Sequence, residues 1–320
     1  MRTDQAAISV SECADLILAT ESAAVLTHIR PDGDTVGTAV ALCRLFKALG
    51  KDAAILPSDA IPSRLAFLTE GTDIIDEVGD RTVIACDVAS PAQLGELFGR
   101  LPRVDFSIDH HEVSTPFSKH LTPGNKSSTG EVLYDVICEL VSRGAAELSQ
   151  SIAYPLYAAI SSDTGGFSFP CTSADTYRAA AALVETGIDH ADINRKLFHS
   201  KSEDQIKAEG FISTCLRTSG AITYATVTLR DMQRLGLTKD SFETAIEVVR
   251  SLAGTKIAFV LKEQTEGVFR ASLRSVGADV ASVAAAFGGG GHIRAAGCSV
   301  SAESKEIAEK ILLDALKCKL

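Results

Sequence analysis

Acidic and imidazole side chains recur in this sequence where an apolar segment gives way to a turn. The most compact example is Asp109-His110-His111, which follows the apolar run 104–108. Three further segments end in the same way, and together they supply eight groups: His28, Asp32, Asp34, Asp87, Asp109, His110, His111 and Asp163. Because open α/β sheets carry their sites beyond the carboxyl ends of the strands, we expect these groups to lie close together.

Carboxylates gathered in this way would repel one another, and their pKa values would rise, unless cations were bound among them. Carboxylate oxygens with one or two imidazoles and no thiolate favour Mn²⁺ or Mg²⁺, with Co²⁺ or Zn²⁺ as alternatives. Two divalent ions that share a carboxylate can activate a water and stabilise a displacement at phosphorus. A single Asp after a strand is more often a helix cap or a solvated residue. Four separate segments ending in such groups favour a shared site, and the sequence therefore predicts two bound divalent cations.

The segments that would position these groups alternate between strand-like and helical patterns. Apolar runs of strand length occupy residues 23–29, 52–56, 81–86 and 104–108. Helical patterns cover residues 9–20, 35–49, 61–68, 127–143, 151–160, 175–185 and 191–211, and Ser90-Pro91 starts a further helix. Ser11 is the predicted N-cap of the first helix, and Gly50 closes the second. This alternation predicts an α/β fold, with an N-terminal parallel sheet and helices on both of its faces.

The pattern changes near residue 220. The sequence then predicts a strand over 220–229, a helix over 239–252, a hairpin from 256–261 and 268–273, and helices over 278–287 and 302–316. A glycine loop at 288–292 separates the last two helices. We therefore expect a metal-binding catalytic domain over 1–190, a helical connector over 191–220, and a smaller α/β substrate-binding domain over 221–320.

Composition argues against several classes of protein. The 320 residues carry a formal net charge of −10, which disfavours a basic surface for long nucleic acid but not a small anionic ligand. No apolar run is long enough to span a bilayer, and the N-terminus lacks the pattern of a signal peptide. The eight cysteines are scattered without a CxxC pair, which is typical of reduced thiols. The sequence predicts a cytoplasmic protein that does not bind membranes.

Four consecutive glycines, Gly288 to Gly291, precede His292. Glycine lets backbone N–H groups approach an anion closely, although a bare glycine run is more often a flexible turn. Arg274 with Ser275 ends the preceding strand, and its guanidinium group would be a bidentate phosphate donor. This combination favours an anion site in the second domain.

The motifs of the chain, taken in order, resemble those of the DHH phosphoesterase superfamily. They are His28-x-x-x-Asp32-x-Asp34, Asp87 after a strand, Asp109-His110-His111, and Ser162-Asp163-Thr164-Gly165. The glycine run with Ala295-Ala296-Gly297 is similar to the motif of the C-terminal domain associated with that superfamily. The length and the two-domain layout most resemble the nanoRNase/pAp phosphatase branch. That likeness implies an enzyme that degrades very short oligonucleotides and removes phosphate from 3′-phosphoadenosine 5′-phosphate (pAp).

The resemblance also implies a role for each group. The expected ligands are His28, Asp32 and Asp87 for one metal ion and Asp34, Asp87, His110 and Asp163 for the other, with Asp87 bridging and Mn²⁺ the expected ion. Asp109 would orient a histidine, and His111 would act near the attacked phosphate as a hydrogen-bond donor or proton-transfer group. The implied substrate-binding residues are Arg274, Ser275, Gly289, Gly290, Gly291 and His292. A homodimer through the N-terminal domain is compatible with the same likeness.

Other substrates, and one function outside enzymes, stay open at this point. An enzyme with the same metal groups could act on linear or cyclic dinucleotides, on pyrophosphate or on polyphosphate. A nucleotide-binding regulator with a degenerate site is the alternative from another class. The intact set of His and Asp residues argues against it, since a pure sensor does not need every metal ligand.

Overall fold

The computed structural model describes residues 5–320. The chain forms two compact units, one ending at Ser200 and the other running from Lys201 to Leu320. In the described residues, no helix combines the length and the apolar character that crossing a membrane requires.

A parallel sheet forms the centre of the first unit. Its strands are β1 (Ser22–Thr27), β2 (Asp52–Pro57), β3 (Thr82–Cys86), β4 (Phe106–Ile108) and β5 (Lys119–Leu121). Over the described part of this unit they lie in the order β2-β1-β3-β4-β5, and every neighbouring pair is parallel. The predicted α/β class and the parallel sheet are confirmed. The hydrophobic pattern does not predict β5, because an edge strand of 3 residues is too short to show alternation.

Helices connect and cover these strands. They are α1 (Val10–Ala19), α2 (Gly33–Ala48), α3 (Ala66–Thr69), α4 (Glu96–Arg100), α5 (Thr129–Ser142), α6 (Gln150–Asp163), α7 (Ala174–Glu185) and α8 (His190–Asn194). Ser9 caps α1 through a reciprocal bond with Glu12, so the prediction of Ser11 as the N-cap is wrong. Helix α6 continues past the predicted end at residue 160, which places Asp163 in its last turn.

Both faces of the sheet are buried. Val25 and Ile84 belong to an apolar cluster that includes buried residues of α1, α2, α5 and α6. Ala24 and Val83, which alternate with them along the strands, belong to a second cluster with Leu97 of α4. Burial on both faces is the reason that β1 and β3 are continuous apolar runs instead of alternating ones.

Two glycines let α2 lie very close to α6. A Cβ atom on Gly33 would lie 2.4 Å from the hydroxyl oxygen of Ser162, and one on Gly37 would lie 2.5 Å from the carbonyl oxygen of Pro155. This packing requires glycine because glycine has no side chain. Its conformational freedom is not needed, since both residues are helical. The close approach brings the start of α2 next to the end of α6.

The second unit is built on a mixed sheet. Its strands are β6 (Arg217–Ser219), β7 (Ile222–Val227), β8 (Ile257–Thr265), β9 (Val268–Ser275), β10 (Gly290–His292) and β11 (Ala295–Ser301). Within residues 201–320 their order is β10-β11-β9-β8-β7-β6, with β7 and β8 parallel and the other neighbours antiparallel. The helices of this unit are α9 (Glu203–Thr214), α10 (Leu229–Leu235), α11 (Ala245–Arg250), α12 (Val280–Ala286) and α13 (Lys305–Lys317). The predicted α/β class and the hairpin, formed by β8 and β9, are confirmed.

Several predicted boundaries after residue 190 are wrong. Residues 191–211 are not one helix, because a π-helical turn, Arg195–His199, separates α8 from α9. The stretch 191–220, predicted as a helical connector, ends in strand β6. The run 288–292 is not wholly a loop, since β10 pairs with β11 as an edge strand. Glycine and alanine have too little side chain to show the periodicity from which β10 and β11 could be predicted.

Candidate metal centre

The six predicted metal ligands come together in the first unit as two groups, and Asp87, His110 and His111 form a third group at the same spacing. The atoms that could bind a metal ion lie within 4.8 Å of one another in each group. The first group is His28, Asp32 and Asp87, and the second is Asp34, His110 and Asp163. They follow β1, β3 and β4 or lie at the ends of α2 and α6. The strand ends therefore converge as the parallel sheet predicts.

Asp87 borders both groups. It follows β3 directly and has a φ of 63°, an uncommon backbone conformation for a residue with a side chain. Its Oδ2 atom lies 3.4 Å from His28 Nε2, and its Oδ1 atom lies 3.6 Å from His110 Nε2. Each carboxylate oxygen thus faces one group. Backbone strain of this kind persists where the surrounding structure must aim a side chain at a site.

The turn between β1 and α2 carries the other two members of the first group. Asp32 is the N-cap of α2, and its Oδ1 atom accepts hydrogen bonds from the backbone N–H groups of Asp34 at 3.0 Å and Thr35 at 3.2 Å. The same oxygen lies 3.6 Å from His28 Nε2. His28 Nδ1 lies 2.8 Å from the carbonyl oxygen of Ile29. With Nδ1 as the donor of that bond, Nε2 carries the lone pair that could bind a cation.

The second group joins α2, α6 and the end of β4. Asp34 is fully buried and accepts hydrogen bonds from the backbone N–H groups of Thr129 at 2.7 Å and Gly130 at 2.9 Å. His110 Nε2 lies 3.2 Å from Asp163 Oδ2 and 3.9 Å from Asp34 Oδ2. The amide groups at the N-terminus of α5 thus favour negative charge on Asp34, and one imidazole nitrogen lies near two carboxylates.

Without bound cations, burial and mutual repulsion disfavour the charged forms of Asp34 and Asp163. Burial, followed by the charges of Asp87 and Asp32, raises the pKa of Asp34 well above its usual value. Burial and then the charge of Asp34 raise the pKa of Asp163 in the same way. Burial lowers the pKa of His28, but hydrogen bonds to Asp32 and Asp87 outweigh it and raise the pKa to about 11. Divalent cations would relieve this repulsion, and carboxylates with imidazoles are suitable donors, so the residues present fit two such ions.

Asp109 forms a pair with His111, which is itself within reach of Asp87 and His110. His111 Nδ1 lies 2.6 Å from Asp109 Oδ1 and 3.6 Å from Asp87 Oδ1. Asp109 is buried, and its Oδ2 atom has no hydrogen-bond partner among the described residues. Burial lowers the pKa of His111, and the hydrogen bond to Asp109 opposes this effect, so that the pKa ends above its usual value. The arrangement holds the imidazole of His111 next to the metal groups in one orientation.

Sequence reasoning does not single out several residues that orient the ligands. The hydroxyl group of Thr129 donates to Asp87 Oδ1 at 2.9 Å, and that of Thr38 donates to Asp34 Oδ1 at 3.2 Å. The carbonyl oxygen of Lys126 lies 3.4 Å from His110 Nδ1. One feature of the sequence could have identified Thr129. It follows Ser128, the N-cap of a helix that begins beside the expected site.

The predicted substrate-binding residues lie in the second unit. Arg274 and Ser275 end β9, and the strand register places Arg274 opposite Ala295, which pairs in turn with His292. The backbones of Arg274 and His292 therefore lie at matching positions on either side of β11. Arg274 is half-buried and donates from Nη1 to the carbonyl oxygen of Leu273 at 2.9 Å, while the Ser275 hydroxyl group donates to a backbone carbonyl oxygen in the following turn. The side chain of His292 lies outside the described part of the chain.

Cross-strand packing explains two glycines of the run 288–291, and no bound ligand is needed to account for them. A Cβ atom on Gly289 would lie 2.1 Å from the carbonyl oxygen of Gly297, and one on Gly291 would lie 2.5 Å from that of Ala295. Gly291 also has a φ of 140°, which favours glycine. Gly290 is exposed, and a Cβ atom there would meet open space. Packing therefore does not explain Gly290.

Two protein-family models match the chain. The model described as DHH family, N-terminal domain, matches residues 22–160. The model of the DHHA1 domain matches residues 219–317. The first match contains the ends of β1, β3 and β4, and the second contains the hairpin of β10 and β11.

Curated relatives match over most of their length. The bifunctional oligoribonuclease and PAP phosphatase NrnA of Thermus thermophilus is 29% identical over 302 residues, which are 92% of this chain and 88% of the relative. The protein of the same name from Bacillus subtilis is 27% identical, over 90% of this chain and 91% of the relative. Among solved structures, an exopolyphosphatase-related protein from Bacteroides fragilis has a TM-score of 0.87 at 23% identity, covering 97% of this chain and 95% of that one. This last likeness shows the fold alone.

Proposed function

Because the chain belongs to the DHH phosphoesterase superfamily, with a DHH domain followed by a DHHA1 domain, we propose that it hydrolyses very short oligonucleotides to mononucleotides and removes phosphate from pAp. The observation that carries this proposal is the pair of ligand groups that meet at Asp87. The names of the Thermus and Bacillus relatives support the choice of substrates.

Two divalent cations, with Mn²⁺ the proposed ion, are the cofactors in this proposal. The proposed ligands are His28, Asp32 and Asp87 for one ion, and Asp34, Asp87, His110 and Asp163 for the other. Such ions, when bound, neutralise charge on a phosphoryl group and lower the pKa of an attacking water. Asp87 has one oxygen toward each group, which supports its assignment as the bridging ligand.

His111 and Asp109 supply the proposed proton chemistry. The bond between Asp109 Oδ1 and His111 Nδ1 fixes the ring, and the proposed role of the imidazole is to donate a hydrogen bond or a proton to an oxygen of the reacting phosphate. Asp109 Oδ1 accepts the hydrogen bond from His111 Nδ1, so Asp109 is assigned as a positioning residue for His111.

The anchor for the rest of the nucleotide is assigned to the second unit. Its proposed residues are Arg274, Ser275, Gly289, Gly290, Gly291 and His292. The matching register of Arg274 and His292 across β11 supports their common role, and a guanidinium group suits a phosphate. The functional division into a catalytic domain over 1–190, a connector over 191–220 and a substrate-binding domain over 221–320 is part of this proposal.

A product assay with Mn²⁺ tests the proposal against its alternatives. The panel contains pApA, a five-nucleotide RNA, pAp, a cyclic dinucleotide and pyrophosphate. We expect AMP from pApA and inorganic phosphate from pAp, with turnover of the RNA falling as length grows. Consumption of the cyclic dinucleotide or pyrophosphate alone would transfer the assignment to those substrates. Binding of Mn²⁺ and nucleotides without any turnover would favour a regulator.

The proposed setting is the reducing cytoplasm. The scattered spacing of the eight cysteines, with no CxxC pair in the sequence, supports this setting. A homodimer is proposed on family likeness, and sedimentation at twice the mass of one chain is the expected result.

A further inference from the structure

Glu131 is a buried carboxylate close to the metal centre that the proposed reaction does not use. It lies in the first turn of α5 and is 1% exposed. Its Oε2 atom accepts hydrogen bonds from the backbone N–H of Ser127 at 3.1 Å, the Ser127 hydroxyl group at 2.6 Å and the Thr176 hydroxyl group at 2.8 Å. The ammonium group of Lys126 lies 3.4 Å from Oε1. A buried carboxylate with this many partners fixes the segment that supplies them.

The segment fixed by Glu131 is residues 126–130, and it contacts three proposed metal ligands. The carbonyl oxygen of Lys126 lies 3.4 Å from His110 Nδ1. Thr129 donates its backbone N–H to Asp34 at 2.7 Å and its hydroxyl group to Asp87 Oδ1 at 2.9 Å. The next backbone N–H, that of Gly130, donates to Asp34 at 2.9 Å, so four contacts from one short segment orient three ligands.

These contacts go to ligands of the Asp34–His110–Asp163 site, and only Asp87 is shared with the His28–Asp32 site. They go to Asp34, to His110 and to Oδ1 of Asp87, the oxygen that faces His110. Within the described residues, no hydrogen bond joins the segment 126–130 to His28 or Asp32. Those two ligands depend on the Ile29 carbonyl oxygen and on the first turn of α2 instead.

We propose that Glu131 is a positioning residue that sets the affinity of the Asp34–His110–Asp163 site for its metal ion and acts far less on the His28–Asp32 site, with which its segment shares only the contact to Asp87. This inference rests on the proposed two-metal function. It adds a residue that affects the metal affinity of one of the two sites. Glu131 holds the carbonyl oxygen that orients His110 and the amide and hydroxyl groups that orient Asp34 and Asp87. Partners of this kind typically alter metal affinity by about 10–100-fold when they are removed.

Calorimetric titration of the metal-free protein with Mn²⁺ tests the inference without any substrate. Glu131→Gln keeps the shape of the side chain but replaces one acceptor oxygen by an NH2 group, which can only donate. We expect two binding events in the wild type and, in Glu131→Gln, one of them weakened by about 10–100-fold, with the other within twofold of the wild type. Thr129→Val, which removes the hydroxyl group from Asp87, should weaken the same event, whereas Thr129→Ser should not.

Glu139→Gln is the matched control on the same helix. Its carboxylate bonds Arg143 at 2.9 Å, and we expect both binding events to match the wild type. Thermal unfolding of the metal-free variants shows whether each one folds. If Glu131→Gln does not fold, the comparison of Thr129→Val with Thr129→Ser tests the inference instead. Unchanged affinity at both sites in Glu131→Gln or Thr129→Val, or equal weakening at both, would overturn the inference. A wild type that binds two ions but turns over no member of the substrate panel would overturn the proposed function alone.

Discussion

His110 and Asp163 meet although they end different kinds of element: His110 Nε2 lies 3.2 Å from Asp163 Oδ2, one residue following strand β4 and the other ending helix α6. The sheet fixes the position of His110. Packing between α2 and α6, through Gly33 and Gly37, fixes that of Asp163. The proposed second metal site therefore depends both on the sheet and on the packing of these two helices.

Asp163→Asn tests the ligand assignment at this junction. The amide keeps the shape but loses the charge, so we expect turnover of pApA to fall by more than about 100-fold, since even residues behind a ligand commonly cost 10–100-fold. Without metal the variant should unfold at the wild-type temperature or above, because repulsion with Asp34 is removed. The control is Asp175→Asn, an exposed residue paired with Arg178, which should retain full activity. Wild-type turnover by Asp163→Asn at limiting Mn²⁺ would remove Asp163 from the ligand set.

Metal binding should stabilise the first unit markedly. Without a cation, the carboxyl groups of Asp34 and Asp163 repel each other in the folded protein. The unfolded chain does not hold these carboxyl groups together, so we expect Mn²⁺ to bind the folded protein and not the unfolded chain. At a free Mn²⁺ concentration of 100 Kd one ion contributes about 2.7 kcal/mol. For a unit of this size that corresponds to a rise in Tm of roughly 5–11 °C. Thermal unfolding with Mn²⁺ and with excess chelator measures it, and equal Tm values in the two conditions would contradict the prediction.

How far the sequence predicts this site depends on which element carries each ligand. His28, Asp87 and His110 follow apolar runs of strand length, and the parallel sheet alone brings such positions together. Asp163 also follows an apolar segment, but that segment is a helix, whose pattern does not indicate that its end meets the sheet, and the ordered motifs give the stronger reason to include it. The position of Glu131 depends on contacts with Thr176, far along the chain, that no local pattern contains.

The errors in element boundaries have physical causes of their own. Ser9 and Ser11 are both suitable caps, and only the reciprocal bond with Glu12 distinguishes them. Strand β10 contains two glycines, so its pairing with β11 depends on backbone contacts that carry no sequence pattern.

Asp109→Asn should lower kcat and leave metal binding intact. Asp109 bonds His111 at 2.6 Å and belongs to neither metal group, so its loss disturbs the orientation of one imidazole. We expect kcat to fall by roughly 100-fold, the lower end of what a positioned proton donor contributes, with Mn²⁺ affinity within a few-fold of the wild type. The exposed neighbour Glu112, changed to Gln, is the control. A loss of Mn²⁺ affinity that accounts for the loss of activity would instead make Asp109 part of the metal support.

Arg274→Ala should mainly raise KM. A hydrogen-bonded charged donor contributes about 1.5–3 kcal/mol, which corresponds to about a 10–100-fold increase in KM for pApA with kcat little changed. Arg270→Ala, an exposed residue on the same strand, is the control and should leave both constants at wild-type values. An unchanged KM in Arg274→Ala would remove that residue from the nucleotide anchor.

Gly37→Ala tests whether the spacing of α2 and α6 sets the second metal site. The added Cβ would lie 2.5 Å from the carbonyl oxygen of Pro155 and 3.0 Å from Ala159, both on the facing helix, so the helices must separate. Overpacking of this kind costs about 1–3 kcal/mol, and the better helix propensity of alanine returns up to about 1 kcal/mol. We therefore expect urea unfolding to show a net loss of about 1–2 kcal/mol, with weaker Mn²⁺ binding because Asp34 moves away from Asp163. Gly99→Ala is the matched control in the same unit: its Cβ meets open space in helix α4, and it should be neutral or slightly stabilising with unchanged Mn²⁺ affinity. If Gly37→Ala were as stable as Gly99→Ala and bound Mn²⁺ as tightly, the close packing of these helices would not be what holds Asp34 and Asp163 together.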